Sequence, residues 1–120
     1  MWLDVSGNSM LPTLRSPAKV LVAGAPSPRR GDVWAFVDHN GSIVVHRYLR
    51  RRRDGSLVFR GDGLPHEDWS VRSHQLVGRV LRVEDTQGDR PVGTRYLPVA
   101  RSFTSATARR AKRLFVRSRK

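Results

Sequence analysis

Val33-Trp34-Ala35-Phe36-Val37-Asp38-His39-Asn40-Gly41-Ser42-Ile43-Val44-Val45-His46-Arg47-Tyr48-Leu49 decides the fold of this 120-residue chain. Two runs of β-branched and aromatic residues flank Asn40-Gly41, a pair that accepts the positive φ angles of a tight hairpin turn. The stretch therefore predicts antiparallel strands over 33–37 and 43–49. A second reversal at Asp54-Gly55 leads into Leu57-Val58-Phe59-Arg60, which extends the hairpin to a three-stranded meander with Arg50 to Arg53 at its exposed end.

Further outward, Trp2, Leu3 and Val5 mark a short N-terminal strand, and Lys19 to Ala23 an apolar one. Leu76 to Val83, where basic residues stand among apolar ones after Gly78, reads as a strand with one buried face that closes the sheet. Gly24 to Gly31 and Gly61 to Asp68 read as loops, and Thr86 to Pro98 as an irregular crossing. Beyond it Phe103, Ala106, Ala111, Leu114 and Phe115 share one side of a helical projection, with Ser102 or Thr104 as N-cap. The expected fold is mainly β, with a domain over 1–85 and an irregular connection and basic amphipathic C-terminal helix over 86–120.

The composition narrows the function classes. There is no cysteine, which excludes disulfides and thiolate metal sites. The apolar runs fall far short of the ~20 residues of a membrane-spanning helix. The N-terminus lacks the basic region and apolar core of a secretory signal, so the expected address is the cytoplasm. The formal net charge is +13, and all but three of the 23 basic residues are arginine, a balance that attracts anionic partners. Between Arg109 and Lys120 seven of twelve residues are basic. That helix is expected to pack its stripe on the sheet, with peripheral contact to anionic membrane as the next reading and nucleic acid after it.

Chemistry centres on Ser6-Gly7-Asn8-Ser9-Met10-Leu11-Pro12-Thr13-Leu14, where Gly7 permits a bend and Pro12 stiffens the apolar segment after Ser9, presenting the serine on a constrained corner. A serine hydroxyl becomes a nucleophile only when a base takes its proton. His46, in the middle of a strand, suits that role, because neutral imidazole accepts a proton at physiological pH without the desolvation a lysine base requires. The imidazolium then needs a carboxylate. Asp62 and Asp68 are both candidates, and each has a competing role in turn capping or in salt bridges to Arg47 or Arg60. His39, His66 and His74 read as surface residues, with no metal-binding spacing and no cofactor called for.

These motifs resemble the signal peptidase I family and its LexA-like relatives, serine peptidases on a mostly β fold, over residues 4–84. Gly7 to Leu14 resembles the nucleophile box, Gly31-Asp32-Val33-Trp34-Ala35-Phe36 the Gly-Asp strand, and Val45-His46-Arg47 the position of the base. Gly61-Asp62, Pro65 and Asp68 resemble the later Gly-Asp box, and Leu76 to Val80 the closing strand. The resemblance implies Ser9 as nucleophile and His46 as base, as in the endoplasmic-reticulum and archaeal branch, where two aspartates matching Asp62 and Asp68 support the histidine. It also implies that the backbone N–H of Ser9 holds the oxyanion.

Three features depart from the pattern. No membrane anchor is expected before the box, Arg15-Ser16-Pro17-Ala18-Lys19 replaces a Gly-Asp pair, and a bacterial-type serine box is joined to a histidine base. Lys19 lies too close to the turn to serve as base. The expected function is a Ser/His serine endopeptidase that removes a leader or propeptide after a small residue. The alternative is a basic β module that binds nucleic acid or anionic membrane.

Overall fold

A computed structural model describes residues 1–68 and 70–94. Seven strands form one antiparallel sheet: β1 (Trp2–Val5), β2 (Ala18–Ala23), β3 (Val33–Val37), β4 (Ile43–Arg51), β5 (Leu57–Arg60), β6 (Leu76–Asp85) and β7 (Gly88–Pro91). Their order is β1-β2-β6-β3-β4-β5, with β7 also paired to β6. Among the described residues the helical content is a single 3-10 turn at Ser73–Gln75. The expected C-terminal helix lies outside the described residues.

The hairpin forms with Trp34 opposite His46 and Ala35 opposite Val45, and Gly41 takes the positive φ of its turn. Both faces of β3 and β4 are covered, so the alternation of their side chains divides the core in two. Val33, Ala35 and Val45 join Val5, Met10, Leu14, Val20 and Val83 in one cluster. Trp34, Phe36, Val44 and Tyr48 join Leu57, Phe59 and Val71 in the other. His46 shares the face of Val44 and Tyr48, whereas Arg47 shares that of Val45.

Two expectations are corrected. Leu76–Asp85 does not close the sheet but runs through its middle, pairing β2 on one side and β3 and β7 on the other. Gly78 makes this possible: a Cβ there would stand 2.5 Å from Val22 Cγ1 and 2.7 Å from the Ala23 carbonyl oxygen, so only a bare backbone lets β2 approach. The crossing after Thr86 also contains a strand. Gly88, at φ 106°, turns the chain so that Asp89 and Arg90 pair with Glu84 and Val83. This polar strand carries no apolar alternation by which a sequence would reveal it.

Candidate active site

Ser9 is presented by the turn after β1. Gly7 adopts φ 99° and its N–H is held by Ser16 Oγ at 3.1 Å, while Leu11 N–H returns to the Asn8 carbonyl at 3.2 Å. Met10 and Leu14, both buried, anchor the turn in the core. Gly63 N–H donates to the Ser9 carbonyl at 2.9 Å and ties the turn to the loop after β5.

His46 enters from the middle of β4, with Phe36 against its ring edge-to-face at 6.2 Å. Its Nε2 lies 2.9 Å from Ser9 Oγ. Its Nδ1 is hydrogen-bonded to Asp68 Oδ2. Asp68 is positioned by its own N–H, which donates to the Phe59 carbonyl at 2.8 Å and folds the loop back along β5. A carboxylate only accepts, so a neutral imidazole carries its proton on Nδ1 and leaves Nε2 to accept from the serine hydroxyl. The three side chains thus line up as hydroxyl, imidazole and carboxylate.

Asp62 takes the other role the sequence allowed it. It accepts from Arg47 Nε at 2.8 Å and from Arg47 Nη2 at 2.7 Å, and it is hydrogen-bonded to Thr13 Oγ1. Arg47 further donates to the carbonyls of Gly31 at 2.6 Å and Gly93 at 2.9 Å. Neighbouring residues on a strand point to opposite faces, which separates Asp62 on Arg47 from Asp68 on His46. The β4–β5 register sets this: Arg47 stands opposite Arg60, with a bulge between Tyr48 and Arg50, rather than opposite Asp62 as a two-residue turn would have it.

A second clamp on the nucleophile segment had no sequence signal, since its residues lie on the unpredicted β6–β7 hairpin. Arg90 grips Asp85 through both terminal nitrogens, at 2.8 and 3.0 Å, and donates to the Thr13 carbonyl at 2.8 Å. Asp85 also accepts from Arg15 N–H at 2.8 Å. Hydrogen bonding from Arg90 holds the Asp85 carboxyl far below the usual carboxylate range. Residues 13 to 15 are thereby fastened on both sides.

Ser9 and His46 are both completely buried. Gly61 lies against them so closely that a Cβ there would stand 3.0 Å from His46 Nε2. A peptide carbonyl can reach Ser9 Oγ only if this covering shifts. Beside the turn, a groove of about 450 Å³ runs between the ends of β1 and β2, lined by Asp4, Val5, Ser6, Pro17 and Lys19 among others. His39, His66 and His74 are exposed, and no helix of the described residues is long and apolar enough to cross a membrane.

An antiparallel β domain that joins a serine turn to a mid-strand histidine defines the class as serine-peptidase-like, with a LexA-type fold. A family model for the peptidase S24-like family matches residues 1–81, and the chain belongs to that family. No curated protein and no solved structure matches it.

Proposed function

We propose that this chain is a serine endopeptidase in which Ser9 is the nucleophile, His46 the general base and Asp68 the group that orients the imidazole. The contiguous path from Ser9 Oγ through His46 to Asp68 carries this reading. Ser9 Oγ attacks the substrate carbonyl carbon as its proton passes to His46 Nε2, and in this reading the Ser9 backbone N–H is the donor to the developing oxyanion. The imidazolium, held by Asp68, returns that proton to the leaving amine. Water then attacks the acyl ester with His46 again as base, releasing the acid and restoring Ser9. A histidine base aligns the site with the endoplasmic-reticulum and archaeal signal peptidase branch.

The substrate in this reading is an extended precursor segment with a small residue such as alanine before the cleaved bond. β1 ends the strand order and lies along the groove beside the serine turn, which supports addition of such a segment as a further strand. The test is intact-mass detection of a covalent adduct with a peptidyl phosphonate ending in alanine. Wild type is expected to gain one adduct at Ser9, and Ser9→Ala and His46→Ala none.

The burial of Ser9 and His46 favours one second reading, a family member that keeps the domain for binding alone. A folded wild-type protein that stays unmodified across several such probes would select it.

A further inference from the structure

We infer that the β4–β5 hairpin tip is a docking surface for the phosphate backbone of duplex DNA, separate from the serine site. Arg50 and Arg51 end β4, and Arg52 and Arg53 enter the turn. Arg72 joins them from the following segment by donating to the Asp54 carbonyl at 3.3 Å. Two carboxylates lie among these five guanidinium groups and offset part of their charge, which leaves the tip with an excess of positive charge. The Asp54 carboxylate is taken up by Ser56, accepting from its N–H at 2.9 Å and its hydroxyl at 2.6 Å. Glu67 pairs with Arg50 at 2.7 Å and approaches Arg52 at 3.9 Å, in side chains 36 to 55 % exposed. Such exposed pairs contribute no more than about 1 kcal/mol and yield readily to a phosphate.

Several of the arginines are arranged in advance. Arg51 donates to the Gly55 carbonyl at 3.1 Å and Arg52, at the edge of the Glu67 pair, to Ser70 Oγ at 2.6 Å, so neutral acceptors help to hold both guanidinium groups over the turn. Arg53 is exposed and forms no ion pair among the described residues. Four like charges in succession on a tight turn repel one another, and the one carboxylate paired with them, Glu67, offsets only part of that repulsion, which a partner's anionic groups would relieve further. Guanidinium forks match phosphate oxygens in pairs.

One feature selects DNA over a lipid surface. The exposed large apolar side chains of the described residues are Met1, Trp2 and Leu81, none of them on this hairpin, so it lacks the apolar anchor with which a basic element enters a bilayer.

The test is fluorescence anisotropy of the full chain with a short labelled DNA duplex, between about 50 and 200 mM salt. The variant R51Q/R53Q/R72Q leaves in place Arg50 and Arg52, which hold Glu67 beside Asp68. It is expected to weaken binding about tenfold or more and to flatten the log–log salt slope by roughly 2 to 3. The tail variant R109Q/R110Q/R113Q is expected to keep most of the hairpin-dependent slope. An unchanged slope in the hairpin variant, or its loss in the tail variant instead, would overturn the assignment. Equal binding of phosphatidylserine vesicles, lost in the same hairpin variant, would overturn it in favour of lipid. Circular dichroism melting checks each variant's fold; should the triple variant fail, R53Q alone is expected to flatten the slope by about 0.9. None of these readouts passes through Ser9, so this inference and the peptidase reading fail separately.

Discussion

Ser9 Oγ lies 2.9 Å from His46 Nε2 across 37 residues of chain, joining a turn after the first strand to the middle of the fourth. Removal of the base by His46→Gln is therefore expected to slow acylation by a serine-reactive probe by about 10²- to 10⁴-fold, the usual contribution of a positioned general base. Time-resolved intact-mass spectrometry measures it. An unchanged rate would remove His46 from the mechanism.

The two aspartates are expected to separate by readout. Asp68→Asn removes the acceptor that holds the imidazole, and acylation should fall by up to about 10⁴-fold with little change in melting temperature. Asp62→Asn instead leaves Arg47, whose side chain is 3 % exposed, without its carboxylate. A broken buried pair of this kind is expected to lower stability by about 3–5 kcal/mol. Denaturant unfolding of both variants beside their acylation rates decides; the opposite pattern would exchange their roles.

Gly61→Ala is expected to block the site, because the added methyl would press on His46 Nε2 and the Ser9 backbone. Gly78→Ala presses instead on Val22 and Ala23 of β2, which carry none of the reacting groups, and is expected to destabilise the fold by about 1–3 kcal/mol. Acylation per folded molecule should collapse in the first variant and persist in the second.

Asp85 links the clamp on the nucleophile segment to pH. Its folded-state pKa is depressed from 3.8, chiefly by the hydrogen bond from Arg90, so its stabilisation is present above that value and is lost as pH falls through the folded pKa. Asp85→Asn should then lower the melting temperature at pH 7, with a gap from wild type that narrows in strong acid. Hydrogen bonds to charged groups contribute about 1.5–3 kcal/mol, which corresponds to several degrees in a domain of this size. Calorimetry across that range measures it, and a gap independent of pH would show that the carboxylate charge contributes nothing.

Local chemistry made much of this protein legible in its sequence. β-branched and aromatic runs around Asn40-Gly41 and Asp54-Gly55 identify β3, β4 and β5, since strand preference and turn geometry act over a few residues. Ser9 and His46 could be chosen because each pairs a reactive group with a constrained local setting. The tertiary structure decided what depends on register and on contacts between distant segments. A bulge after Tyr48 and the fold-back of the loop after β5 send Asp68 to His46 and Asp62 to Arg47, a choice that spacing alone left open. The central place of β6 comes from the bare backbone at Gly78 meeting a strand more than fifty residues earlier. β7, with the Arg90 and Asp85 clamp, is stabilised by a neighbouring strand and a distant carbonyl, energies that no stretch of sequence contains by itself.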